Sequence, residues 1–213
     1  MLDQWLNNFT ETIHNNFPER IVFIGIQGSY ARNEATENSD IDVVVIFDKL
    51  SYYDIKYYDE IISKMPMRDK ICGFISGRQE LESWDKSDLF QFYHDTIPLY
   101  GNLDFIKNLI TTEDIYRAVK IGACNIYHMS VHNAVHEKST DILKSLLKSA
   151  IFVIQAKYYL EHNEYVNRRI DLLKKVSPED KELITLFSES KYTDYFDLIS
   201  EKLIQWSSNL INR

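Results

Sequence analysis

Along residues 2–16, Leu2, Trp5, Leu6, Phe9 and Ile13 recur at three- and four-residue spacing, which predicts an amphipathic helix. Pro18 follows its end. The spacing then collapses. Residues 21–27, IVFIGIQ, are a short apolar run rich in β-branched side chains, a buried-strand signal broken by Gly28-Ser29. Residues 41–47, IDVVVIF, are a second such run, and their nearly continuous apolar character predicts a central strand covered on both faces. Residues 52–65 return to a helical pattern that Pro66 ends. A third strand is expected over 70–76, KICGFIS, a helix over 79–94, and a short edge strand or loop over 97–101.

From Thr111 onward every periodic segment is helical. Thr111 followed by Asp114 reads as a capped helix start. Ile115, Val119, Gly122, Ile126 and Met129 continue at helical spacing. So do Ile142, Leu146, Ala150, Val153, Ile154 and Tyr158 within residues 140–161. Segments 166–176, 179–188 and 194–211 are further amphipathic stretches, punctuated by Pro178. The expected fold is α/β (α+β): a small mixed sheet over residues 1–105, followed by an all-helical bundle over 106–213. The boundary is expected near residues 102–112.

Composition narrows the partners. The 213 residues suffice for a real core, and 45% apolar with 26% charged residues is ordinary for a globular chain. The formal net charge of −8 argues against a polymeric nucleic-acid partner, which calls for a basic face. It is compatible with a cationic small molecule or a protein. Cys72 and Cys124 are far apart and are expected as buried thiols in a reducing compartment. The first residues lack a basic stretch followed by an apolar run, and no apolar stretch approaches the roughly 20 residues of a membrane span. These features read as cytoplasmic, with no membrane partner.

The chemistry concentrates in residues 28–47, GSYARNEATENSDIDVVVIF. Where the first strand ends, Gly28 lets backbone approach a ligand, and the N–H groups of a helix start attract phosphate. The Ser29 hydroxyl adds a donor, and Arg32 can pair with phosphate oxygens. Asp40 and Asp42 head the second strand, where alternate side chains share a face, so the two carboxylates project together while Ile41 enters the core. Two adjacent carboxylates beside a phosphate site suit Mg²⁺. One or two such ions would bridge a triphosphate and neutralise developing charge. Two solvated aspartates in a polar loop between strands are the bland alternative.

The ordered combination of Gly28-Ser29, a short helix, and Ser39-Asp40-Ile41-Asp42 opening an apolar strand resembles the DNA polymerase β-like nucleotidyltransferase superfamily. In layout, a small α/β unit followed by a helical bundle is similar to the aminoglycoside and lincosamide nucleotidyltransferases. The resemblance implies a nucleoside triphosphate, ATP first among them, bound at Gly28, Ser29, Arg32 and Ser39. It implies Mg²⁺ on Asp40 and Asp42. Two departures stand out. Asn33 follows the arginine where the superfamily often has glycine. No acid lies in residues 71–76, although the family often places a third carboxylate on a later strand. Asp69, just before that strand, is the nearest catalytic candidate, or else a solvated residue.

The helical half offers weaker candidates. His128, His132 and His136 repeat every four residues, a two-histidine metal spacing, but a polar stripe is the better reading. Glu137, at the end of that stripe, could act as the base toward an acceptor hydroxyl. Among Lys144, Lys148 and Lys157, Lys148 could reach a triphosphate, or all three could form a solvated face. Tyr165-Val166-Asn167-Arg168-Arg169 is loosely similar to a stretch of the antibiotic-modifying group. The aromatic run 90–101 is read as packing. The expected function is transfer of a nucleoside monophosphate to a hydroxyl of a small acceptor, an aminoglycoside-like molecule being one instance. The alternatives are a protein-modifying enzyme of the toxin–antitoxin kind, and a nucleotide-binding module without turnover.

Overall fold

The computed structural model describes residues 2–189 and 192–212. The chain divides into two compact units, Met1–Ile110 and Thr111–Arg213.

The first unit runs α1 (Leu2–Asn16), β1 (Ile21–Ile26), α2 (Gly28–Ala31), β2 (Ile41–Phe47), α3 (Tyr52–Ile62), β3 (Ile71–Gly77), α4 (Arg78–Ser83), α5 (Lys86–Asp95), β4 (Ile97–Tyr100) and α6 (Asp104–Lys107). A turn of 3₁₀ helix, Arg68–Lys70, leads into β3. The strands form one mixed sheet in the order β3-β2-β1-β4. β1 is antiparallel to both β2 and β4, and β2 is parallel to β3. The continuous apolar run of β2 follows from this position, because both its faces are covered. Ile41, Val43, Val45 and Phe47 join Trp5, Phe9 and Ile13 of α1 and Ile61 and Ile62 of α3. Val44 and Ile46 join Phe23, Leu81 of α4, Leu89 of α5 and Ile106 of α6. Ser51 caps α3 through a reciprocal pair of bonds with Asp54.

The second unit contains α7 (Thr112–His132), a π-helical turn (Asn133–Glu137), α8 (Thr140–His162), α9 (Arg169–Leu172), α10 (Pro178–Glu189) and α11 (Phe196–Ile211). Thr111 and Asp114 form the reciprocal cap that the sequence announces. Ile126, Leu143, Leu147, Ile154, Leu183, Ile184, Leu203 and Trp206 lie in its core. Within that core Asp180, 3% exposed, accepts from Lys157 Nζ at 2.6 Å, Ser177 Oγ at 2.7 Å and Trp206 Nε1 at 2.8 Å. A buried carboxylate persists only when its lone pairs are filled in this way. Among the described residues no helix is long and apolar enough to cross a membrane.

Three expectations change. The single helix over 79–94 is two helices, because Trp84 takes an extended backbone and Asp85 restarts the chain by accepting from the Ser87 N–H. Segment 166–176 holds only the single turn of α9. Both cysteines are exposed rather than buried: Cys72 lies on β3, at the end of the strand order, and Cys124 on the solvent side of α7.

Candidate active site

The end of β1 and the head of β2 are locked side by side. Ile26 stands opposite Val43, and the next ladder bond runs from the Gln27 N–H to the Asp42 carbonyl at 2.8 Å. The chain then turns at Gly28, whose φ is +69°. An added Cβ there would stand 1.9 Å from Asp42 Oδ2, so only glycine allows the turn to pack on that carboxylate. Sequence reading put Gly28 and Asp42 in one site, and the fold brings them into van der Waals proximity.

α2 follows with Gln27 at its extended N-cap and no side-chain cap. Its opening amides have no acceptor within so short a helix. The turn closes when the Glu34 N–H donates to the Ser29 carbonyl at 2.8 Å. Asn33 sits at φ +58°. Asparagine is among the residue types with a side chain that best tolerate this left-handed backbone. Arg32 Nε lies 3.3 Å from Glu34 Oε2, and the two side chains are only 14% and 13% exposed. Arg32, named from the sequence as a phosphate partner, is therefore held by a carboxylate that sequence reading did not single out. A charge two residues away gave no signal, because loop residues have no fixed periodicity.

Asp40 is exposed and immediately precedes β2, while Asp42 is half-buried within it. Strand alternation sets Asp42 on the side of the sheet occupied by Val44 and Ile46, and Asp40 continues that alternation. Ser39 turns into its own loop, its Oγ accepting from the Thr36 N–H at 2.9 Å. Lys70 Nζ donates to the Glu37 carbonyl at 2.6 Å and ties the same loop to the turn before β3.

The parallel register of β2 and β3 pairs Asp42 with Cys72. An acid on β3 beside Asp42 would have to stand at position 72, and this chain has a thiol there. Asp69 is exposed on the 3₁₀ turn. Among the described residues no group of three or more His, Cys, Asp or Glu side chains is arranged to hold a metal ion, so Asp69 is not gathered with the pair. Two carboxylates nevertheless fit Mg²⁺ in the form it takes beside triphosphates, where one or two acids suffice and phosphates and waters complete the shell.

The remaining candidates belong to the second unit. Glu137 is exposed on the π turn with Oε1 3.4 Å from His132 Nε2. Lys148 is exposed on α8. The ring centroids of His132 and His136 are 4.8 Å apart, and those of His128 and His132 6.3 Å. In the aromatic run, Phe92 and Tyr93 pack against the second face of the sheet.

Residues 6–93 match the family model described as "Nucleotidyltransferase domain". Over 54 residues, 25% of the chain, the sequence is 43% identical to a Methanocaldococcus jannaschii protein named "Putative protein adenylyltransferase". The match spans 51%, about half, of that relative's length. In structure, 99% of the chain superposes on 99% of spectinomycin adenyltransferase AAD(9) from Enterococcus faecialis, solved with ATP and spectinomycin. The TM-score is 0.59 at 14% identity, a likeness of fold. The glycine turn and the paired aspartates at the head of β2 both lie within residues 6–93, the stretch similar to the nucleotidyltransferase domain family.

Proposed function

We propose that the chain transfers a nucleoside monophosphate, from ATP in the first instance, to a hydroxyl of a small-molecule acceptor and releases pyrophosphate. The observation that carries this reading is the junction of Gly28 with Asp42, two residues from Asp40, at the open end of β2. In this reading the turn at Gly28 and Ser29 receives the phosphates, and Arg32 exchanges its contact with Glu34 for a phosphate oxygen. Asp40 and Asp42 would hold Mg²⁺, which would supply charge neutralisation on the triphosphate. The acceptor oxygen forms a bond to the α-phosphorus as the bond from that phosphorus to the bridging oxygen breaks. Pyrophosphate leaves, and the acceptor proton passes to solvent. The chain's part is to position groups and set the local field. A small acceptor is favoured by the whole-length likeness of fold to an adenyltransferase solved with an antibiotic.

A protein side chain is the second acceptor reading, supported by the 43% identical segment shared with the archaeal relative named above. One experiment separates the two. The protein is incubated with Mg²⁺ and ATP labelled at the α-phosphate, against a panel of aminoglycosides, spectinomycin, lincosamides and sugars, and in parallel against a cell protein extract. Label on a small molecule supports the first reading, and label on a protein band supports the second. Nucleotide binding without label on either would contradict transfer and leave a module that binds without turnover.

A further inference from the structure

We infer that Gln27 is a positioning residue that fixes the Gly28–Asp42 junction, an inference that rests on the nucleotidyl-transfer reading above. Gln27 is half-buried where β1 ends, and its bonds reach three separate segments. Its backbone N–H donates to the Asp42 carbonyl at 2.8 Å. Its Nε2 donates to Thr96 Oγ1 at 2.6 Å and to the Phe92 carbonyl at 3.3 Å. Thr96 is buried, and its own hydroxyl also donates to the Phe92 carbonyl. The amide thus binds the turn to the end of α5 and the approach to β4, while the adjacent peptide binds it to β2.

The side chain suits this place. Its reach spans the gap, and its two N–H groups serve two acceptors at once. A leucine would fill the volume and leave the Phe92 carbonyl and the Thr96 hydroxyl with fewer partners. A glutamate would set a carboxylate against a carbonyl oxygen. The next residue is Gly28, where the backbone packs on Asp42 with no room for a methyl group. Loosening Gln27 therefore moves the phosphate-receiving turn relative to the carboxylate pair. Errors of about 1 Å in such placements cost on the order of a hundredfold. No local pattern announces this role, since Gln27 and Thr96 are 69 residues apart in sequence.

The test uses the full chain, Mn²⁺ as the metal and α,β-methylene ATP as a nucleotide that cannot be cleaved at the transferred bond. Bound Mn²⁺ is read by electron paramagnetic resonance, which needs no acceptor. Wild type is compared with Gln27→Leu, Gln27→Glu, Thr96→Val, the Gln27→Leu/Thr96→Val double variant, and Asp40→Asn/Asp42→Asn. Circular dichroism and melting establish that each is folded. The expected result is at least tenfold weaker Mn²⁺–nucleotide binding for both Gln27 variants and a smaller loss for Thr96→Val. The double variant is expected to be no weaker than Gln27→Leu alone, because the two residues act as one unit. A role confined to stability would lower the melting temperature and leave this affinity within twofold of wild type, which overturns the inference. If wild type and Asp40→Asn/Asp42→Asn bind alike, the nucleotide reading itself fails and takes the inference with it. If those two differ and the Gln27 variants match wild type, only the inference on Gln27 fails.

Discussion

Asp180 of the second unit and Asp42 of the first are both carboxylates set among apolar residues. Asp180 is filled from within, by a lysine, a serine and an indole N–H, and is 3% exposed. Asp42 stands half-buried at the head of β2, beside backbone that lacks a side chain, with the exposed Asp40 two residues away. The first arrangement uses up the charge in holding α8, α10 and α11 together. The second sets Asp42 against the Gly28 turn, where the proposed reading would have it hold a cation with Asp40. Burial alone therefore does not mark a functional acid, and what surrounds the carboxylate decides its role.

Substitutions on the two sides should separate cleanly, and Gly28→Ala should have the largest effect. It drives a methyl group into Asp42 and places a side chain at φ +69°. Transfer is expected to fall at least about a hundredfold. Left-handed strain should add about 1–2 kcal/mol of destabilisation. Steady-state kinetics beside a denaturant titration would measure both, and near-normal turnover would remove Gly28 from the site.

Asp180→Ala is the counterpart. It leaves Lys157 and the Trp206 indole without their acceptor and should cost about 3–5 kcal/mol. In this variant the transition of the second unit should move in calorimetry, while Mn²⁺–nucleotide binding below that transition is retained. Lost nucleotide binding at a temperature where both units are folded would mean that the buried acid serves the site as well.

A smaller effect concerns pH. His94 on α5 is pushed down from 6.5 to about 4, mainly by burial and further by the nearby Lys107 charge. Its folded value is depressed, so between pH 6.5 and about 4 the unfolded chain takes up a proton that the folded chain refuses. That part of the stability is complete above pH 6.5 and is lost as pH falls toward 4. His94→Asn should flatten the decline between pH 6.5 and 5 in urea titrations, and an unchanged slope would show that His94 does not titrate as described. The smallest change is expected for Thr111→Ala, which removes the cap of α7 and should cost about 1 kcal/mol in the second unit, with nucleotide affinity unmoved in a binding titration.

The same contrast explains what the sequence could disclose. β2 was legible because an internal strand must be apolar on both faces, and the start of α7 because Thr111 and Asp114 satisfy each other across three residues. The turn at Gly28 and the alternation of Asp40 with Asp42 at the head of β2 were legible because both have fixed local spacing. The break at Trp84-Asp85 was not, since both flanking segments carry helical patterns and only the Asp85 cap divides them. Nor could spacing reveal the bond from Gln27 to Thr96, the pairing of Cys72 with Asp42, or the hold of Glu34 on Arg32. These depend on strand register and on loop closure, which join residues that sequence periodicity does not relate.

The most direct test of the account is pyrophosphate release from ATP with Mg²⁺ and the acceptor panel, comparing wild type with Asp40→Asn/Asp42→Asn. Acceptor-dependent release by wild type, reduced by at least about a thousandfold in a folded double variant, is the expected result. Equal release by the two proteins would contradict the assignment of the carboxylate pair at the head of β2.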